Sequence, residues 1–244
     1  MRNEALIGYL LHQRPYQEKR ALYHLFSQQH GIINGVGKKG APLFVPLQLF
    51  ATGKRDLKTF SQMNIVPLER DFVSAETQRY QQISGQQQYA ALYLNEILLK
   101  LLPTEDPMPV LWQYYQDSLR QLKQPLTAEE LRLCLRQFEQ RLFTELGFAL
   151  TLAHDNTLSV IEPDCTYQFL PDVGLVPIVQ TDHLANTTVQ AVFEGSEILL
   201  MAQLGISATT LSAWSRLHRQ LIDHLLDYQP LQSRLLWQQQ QRYQ

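Results

Sequence analysis

Ala5-Leu6-Ile7-Gly8-Tyr9-Leu10-Leu11, Ala21-Leu22-Tyr23-His24-Leu25-Phe26, Gly31-Ile32-Ile33-Asn34-Gly35-Val36, Leu43-Phe44-Val45-Pro46-Leu47-Gln48-Leu49-Phe50 and Leu57-Lys58-Thr59-Phe60 are short apolar runs. Turn residues at Ser27–Gly31, Gly35–Gly40 and Thr52–Asp56 separate the later ones. Strands recurring every 8–12 residues or so, with turn signals between them, are the pattern of a small sandwich or barrel. A segment of about 80 residues suits a five-stranded barrel of the OB type. The expectation is therefore an OB-fold β-barrel over residues 1–80.

Past residue 80 the periodicity changes. Tyr89, Leu92, Tyr93, Glu96, Ile97, Lys100 and Leu101 fall at helical spacing until Pro103 stops them. Leu111, Tyr114/Tyr115 and Leu119 form a second stripe between Pro109 and Pro125. Thr127-Ala128-Glu129-Glu130 has the form of a capping box, in which the threonine oxygen accepts from an N3 amide and the glutamate reaches back. A third helix follows on Leu131, Leu135, Phe138, Leu142 and Leu146, with Gly147 where a left-handed C′ residue belongs. Residues 81–150 thus read as a helical domain. The chain then turns extended at Thr157–Ile161, Tyr167–Leu170 and Leu175–Val179. Leu211, Trp214, Leu217/His218, Leu221 and Leu225 mark one more amphipathic helix, capped near Ser207 or Thr209. The fold class expected is α+β and multi-domain: an N-terminal OB-fold barrel, a central α-helical bundle and a small mixed C-terminal region over 151–244.

Composition limits function. With 45% hydrophobic and 18% charged residues among 244, the chain is globular rather than disordered. No apolar run is long enough for a transmembrane helix. The opening Met1-Arg2-Asn3-Glu4 lacks the pattern of a secretory signal. Two cysteines, Cys134 and Cys165, rule out a disulfide framework and an all-cysteine zinc site, and they fit a reducing cytosol. The 30 glutamines read as solvated polar surface. Net charge is −2 but unevenly spread. Residues 1–60 carry nine Lys/Arg and three Asp/Glu, whereas 151–212 carry seven acids and no Lys or Arg. A basic first block points to a polyanionic partner.

Gly35-Val36-Gly37-Lys38-Lys39-Gly40 matches G-x-G-x-x-G, but Pro42 and Pro46 follow where a dinucleotide-binding unit needs a helix. The motif reads instead as a glycine-rich turn carrying two lysines. Lys38, Lys39, Arg14, Lys54, Arg55 and Lys58 are the candidate phosphate contacts, because each cation can release a condensed counterion. Arg132 and Arg136, at i and i+4, share a helix face that Trp112, Tyr115 and Leu133 could border. Arginines beside an apolar groove suit an acidic, hydrophobic peptide end. Asn95-Glu96 in an apolar helix reads as hydrogen bonding to helix ends or loops rather than as a catalytic acid. His154 and Cys165 lack paired partners at metal-ligand spacing. No catalytic residue, metal or cofactor is expected.

The ordered set of these segments resembles the RecO recombination-mediator family. The resemblance rests on Leu10-Leu11-His12-Gln13-Arg14-Pro15-Tyr16-Gln17-Glu18, Leu25-Phe26-Ser27 with Gly31, Gly37-Lys38-Lys39-Gly40, and Leu47, Leu49-Phe50 with Leu57-Lys58-Thr59. It continues through Tyr93–Leu98, Leu102-Pro103 with Glu105-Asp106, Leu135–Glu139, Leu142-Phe143 with Leu146-Gly147-Phe148, and Pro230–Arg234. It covers about residues 5 to 235. It implies a non-enzymatic DNA repair and homologous recombination mediator of the cytoplasm, associated with the nucleoid. Such a protein binds single- and double-stranded DNA, anneals complementary strands and helps load recombinase onto DNA coated by single-strand-binding protein. The implied partners are RecR and the acidic C-terminal tail of the single-strand-binding protein, with Arg136 at the family's tail-binding arginine and Arg132 and Tyr115 as lesser candidates. The alternative is an adaptor that binds the tail and RecR with only weak DNA affinity. Two departures stand out. The four-cysteine zinc motif of some members is reduced to His154 and Cys165, leaving degenerate zinc-finger-like strands and a helix packing on the helical domain. The basic loop at Lys38–Pro42 is short.

Overall fold

The computed structural model describes residues 3–66, 82–148, 150–178 and 191–242. Two compact units are formed, one of Met1–Leu126 together with Leu231–Gln244, the other of Thr127–Pro230. The three-part division at residues 80 and 150 is one of sequence texture and stays a proposal.

In the first unit, β1 (Glu4–Tyr16), β2 (Arg20–Ser27), β3 (Gly31–Lys38), β4 (Leu47–Thr52) and β5 (Leu57–Ile65) close into a barrel in the order β1-β2-β3-β5-β4. All pairings are antiparallel except β3 with β5, and β1 closes the barrel against β4. This is the expected five-stranded barrel. Period-two alternation sends Leu6, Leu10, Tyr23, Leu25, Ile33, Leu47, Leu49 and Phe60 into one buried cluster. Each such apolar side chain contributes about 1.5–3 kcal/mol of burial. Gly35 and Gly37 serve that packing. A β-carbon on Gly35 would lie 2.4 Å from the Phe60 ring, and one on Gly37 would lie 2.9 Å from the Met63 sulfur. The G-x-G spacing thus makes room for the barrel core, and no helix follows it.

The strand expected over Leu43–Phe50 begins only at Leu47. Pro46 lacks a backbone donor, and Phe44 has φ 62°, outside strand geometry. Leu6 to Leu11 read as a nearly unbroken apolar run because both faces of this half of β1 are covered. Leu6 and Leu10 face the barrel core, while Tyr9 packs edge-on against Tyr115 at 5.3 Å and against Trp112 at 5.3 Å. A bulge between Leu10 and His12 ends this half. Asn95 Nδ2 donates to the Leu11 carbonyl at 3.0 Å and faces the Leu10 carbonyl at 3.3 Å, so the carbonyls freed by the bulge are satisfied.

The helices of this unit are α1 (Gln86–Leu101), α2 (Pro109–Leu122) and, from the far end of the chain, α6 (Gln232–Arg242), which packs on α1. Pro103 follows the end of α1 and Pro109 opens α2, as the sequence predicts. The α1 stripe is shifted from the one expected: Ala90, Ala91, Leu94, Asn95 and Leu98 are buried beside Tyr93 and Ile97. The sequence does not predict the helix α6, since five of its eleven residues are Gln and only three are apolar. It is held from outside: the Glu96 carboxylate accepts the N–H groups of Gln232 (2.8 Å) and Ser233 (2.9 Å) and the Ser233 hydroxyl (2.7 Å). The Asn95-Glu96 pair therefore does bond a strand bulge and a helix end.

In the second unit, α3 (Ala128–Glu145) starts on the expected capping box, with both Thr127–Glu130 bonds formed, and Gly147 after its end has φ 84°. A small sheet has the order β7 (Gly174–Pro177), β6 (Thr166–Leu170), β8 (Val192–Glu194). The extended stretch expected at Thr157–Ile161 is a turn. Asp155 Oδ1 accepts the N–H groups of Thr157 (2.8 Å) and Ser159 (3.0 Å), and Leu158 takes φ 65°. Val179, at the end of the third expected strand, lies outside the described residues. Then come α4 (Gly195–Leu204), too short and uniformly apolar to stand out, and α5 (Leu211–Leu225), which packs on α3. Ser207 and Thr210 bond each other before α5, but neither side chain caps it. No described helix is long and apolar enough to cross a membrane.

Candidate functional site

Beyond the bulge, His12–Arg20 and Lys38 are exposed on β1, β2 and β3, and the strand register orders the outward side chains. Arg14 pairs with Leu22, Tyr16 with Arg20, and Arg20 with Lys38. Directly opposed residues share a face, so Arg14, Arg20 and Lys38 stand together on one exposed surface with Tyr16, which is 44% exposed. The next row of the same face is His12, His24 and Asn34. The β1–β2 loop, Gln17–Lys19, adds Lys19. Lys39 is tied to that loop: its Nζ donates to the Glu18 carbonyl (2.8 Å) and its N–H to the Lys19 carbonyl (3.2 Å). Lys54 and Arg55 are exposed in the β4–β5 loop, which leads into Leu57, the partner of Asn34 on β3. Arg14, Lys38 and Lys39 are thus gathered at one end of a sheet face, and Lys54 and Arg55 lie in the loop beyond Asn34, toward its other end.

Lys58 does not belong to this surface. Its side chain is 5% exposed, its ammonium meets the Glu105 carboxylate at 2.6 Å, and it donates to the Arg55 carbonyl at 2.8 Å. Buried charged groups are paired; here the pair joins the barrel to the segment after α1. Sequence reasoning counted Lys58 as surface because the burial of one lysine depends on Glu105, nearly fifty positions away. The same reasoning passed over Lys19 and Arg20. The signal was present: a hairpin turning at Gln17–Lys19 sets Arg20 opposite Tyr16 and leaves it beside Lys38.

On α3, Arg132 is exposed, whereas Arg136 is largely enclosed. Arg136 Nη2 donates to Glu139 Oε1 at 2.6 Å, and Glu139 Oε2 lies 3.0 Å from Nδ1 of His218 on α5. Glu139 and His218 are fully buried. The His218 ring stands edge-on to Phe143 (5.0 Å) and Trp214 (5.1 Å), and burial holds its pKa below the usual histidine range. At neutral pH the set is a guanidinium, a carboxylate and a neutral imidazole whose Nδ1–H donates to the carboxylate. Arg136 Nε and His218 Nε2 are buried with no hydrogen-bond partner among the described residues. Part of the charge expected for a peptide carboxylate is therefore already engaged by Glu139, and Arg132 is the more accessible of the pair.

Tyr115 was expected beside these arginines. It is instead fully buried against Tyr9 and Phe26, and its hydroxyl donates to Asn95 Oδ1 at 2.6 Å. Burial pushes its pKa well above 10.0. It is a core residue, and no peptide reaches it. Among the described residues no group of three His, Cys, Asp or Glu is placed to hold a metal. Cys165 donates its thiol proton to Glu162 at 3.4 Å, which raises the thiol pKa.

A family model described as Recombination protein O C terminal matches residues 84–234, from just before α1 into α6. The DNA repair protein RecO of Pseudomonas paraeruginosa is 36% identical over 236 residues, covering 94% of this chain and 92% of its own. The chain belongs to the RecO family. Relatives of the same printed name include the protein of Pseudomonas aeruginosa, also 36% identical over 236 residues, and that of Stutzerimonas stutzeri, 35% identical over 238 residues. Since the relatives align over nearly their whole length, the RecO match takes in the barrel as well as the helices.

Proposed function

We propose that this protein is a recombination mediator that binds single- and double-stranded DNA on its barrel, anneals complementary strands, and helps load recombinase onto DNA coated by single-strand-binding protein. The observation that carries the reading is the register-matched cluster of exposed Arg14, Arg20 and Lys38 on one barrel face, with Lys19, Lys54 and Arg55 exposed in two of its loops. The strand 2–3 face and these two loops are where five-stranded barrels of this type hold oligonucleotides. Annealing needs no covalent step: cations neutralise the phosphates of both strands, and their mutual repulsion falls. The name shared by the relatives, DNA repair protein RecO, supports the same reading. The place of action would be the cytoplasm, at the nucleoid.

Two partners belong to the proposal. The acidic tail of the single-strand-binding protein would meet Arg132 and Arg136, and tethering there would raise the local concentration of the barrel at coated DNA. RecR would act with the protein in loading.

Fluorescence anisotropy of a labelled oligonucleotide across a salt series tests the DNA arm. The expected slope of log affinity against log salt is roughly −0.7 per phosphate neutralised on a single strand. Lys38→Glu with Arg14→Glu is expected to weaken binding and flatten that slope; an unchanged slope would mean that the nucleic acid lies elsewhere. A labelled acidic tail peptide, titrated against Arg132→Ala and Arg136→Lys proteins, tests the other arm. Tight peptide binding without DNA binding at low salt would select the adaptor reading.

A further inference from the structure

The second row of the barrel face carries a feature that the lysine and arginine cluster does not explain. His12 on β1 and His24 on β2 are directly opposed in the register, and their ring centres lie 5.9 Å apart. His24 is in turn opposite Asn34 on β3, and its Nδ1 is 2.6 Å from Asn34 Oδ1. Because the amide oxygen can only accept, Nδ1 of His24 must carry the proton. Its Nε2 is then a bare acceptor in the neutral ring, with no hydrogen bond from the described residues. His12 is exposed and likewise has only the ring contact with His24.

We propose that His12 and His24 form a phosphate-binding subsite for a nucleic acid strand, occupied with uptake of protons by the imidazoles. The inference rests on the DNA reading of the barrel and assigns it a further contact row and a pH dependence. The geometry favours it in three ways. First, the pair lies directly beside Arg14 on β1, and Arg20 and Lys38 occupy the same face, so a strand held there passes over the rings. Second, protonation of His24 breaks nothing: Nδ1 keeps its bond to Asn34, and Nε2 changes from acceptor to donor. Third, the groups facing the pair are neutral or cationic among the described residues. They are Arg14 and the other imidazole from β1 and β2, Asn34 from β3, and Leu57 of β5, which pairs with Asn34. Burial, His12 and Arg14 all hold the pKa of His24 below its usual value, outweighing the Asn34 bond. In the free protein His24 is thus held toward its neutral form, and an arriving phosphate would favour its charged form.

The sign follows. A strand that binds the protonated pair binds more tightly as pH falls, up to tenfold per pH unit for each proton taken up. A labelled oligothymidine is titrated by anisotropy at constant ionic strength from about pH 8 to about pH 6, the range in which imidazoles change charge. Wild type is expected to gain at least about 10-fold in affinity across that range, and its salt slope to steepen by about 0.7 for each imidazole charged. The His12→Gln/His24→Gln protein, whose neutral amides fit the same surface, is expected to change less than about 2-fold. Imidazole Cε1–H resonances that titrate at higher pH with the oligonucleotide bound give a second readout, independent of the variants. Binding that is equally strong at both ends of the range in wild type, or a double variant with the full wild-type slope, would overturn the subsite and leave the DNA reading standing. No binding at any pH would overturn both.

Discussion

At the scale of single residues, buried charge is what most separates this molecule from a reading of its surface charges. Arg136 and Glu139 form a nearly enclosed ion pair, and breaking such a pair from one side leaves the other charge uncompensated. Arg136→Ala is therefore expected to lower stability by about 3–5 kcal/mol, read as a shifted urea midpoint. Loss of peptide binding by that variant would be ambiguous, which is why the lysine form and Arg132→Ala are the better probes. His218 makes stability depend on pH. Its folded pKa lies below 6.5, so the unfolded chain takes up the proton first and stability falls as pH drops below about 6.5. A series of urea melts from neutral to mildly acid pH should show that loss in wild type and a shallower one in His218→Asn, whose amide can still donate to Glu139. An equal loss in both would place the acid-sensitive group elsewhere.

At the scale of elements, caps and close approaches decide. Thr127→Ala removes a capping box with both bonds formed and is expected to cost about 1 kcal/mol, again as a midpoint shift. Glu96→Ala should release α6, whose first N–H groups rely on that carboxylate. Hydrogen exchange over Gln232–Arg242 should then accelerate, and emission from Trp237, whose ring lies 5.5 Å from Tyr89, should change. In β3, Gly35→Ala pushes a methyl group into the Phe60 ring and is expected to destabilise the barrel by about 1–3 kcal/mol, with partial rescue by Phe60→Leu. Absence of rescue would show that the glycine is needed for its backbone rather than for space. The elements themselves were mostly legible. The capping box, the prolines at 103 and 109 and the left-handed Gly147 are local signals, and α1, α2 and α3 appear where they point, while α5 follows its apolar stripe. The helix α6 was not legible because the groups that hold it, Glu96 and Tyr89, lie some 140 positions upstream in the chain. The turn at 155–159 was misread because alternation of apolar residues cannot distinguish a strand from an Asx-type turn.

At the scale of the whole molecule, charge separation and chain return dominate. The basic block of residues 1–60 is the barrel, and the acidic block of 151–212 belongs to the other unit. DNA affinity that falls steeply with salt in the full chain is the expected consequence, and a salt-insensitive affinity would contradict an electrostatic contact. Deleting residues 231–242 should loosen the unit of Met1–Leu126, to which α6 belongs, before it affects Thr127–Pro230; exchange rates measured unit by unit would detect the order. The sequence by itself determined the barrel, the end of α1, the starts of α2 and α3 and the uneven spread of charge, because strand periodicity, caps, prolines and charge counts are set by neighbours along the chain. Only the tertiary structure decided which charges are available. Lys58 is taken inward by Glu105, Arg136 and His218 are both engaged by Glu139, Tyr115 is locked against Asn95, and Arg20, His12 and His24 are delivered to one face. The physical reason is the same each time: burial and cross-strand register depend on residues far apart in the chain, and a side chain's charge acts on a partner only where packing leaves it facing outward.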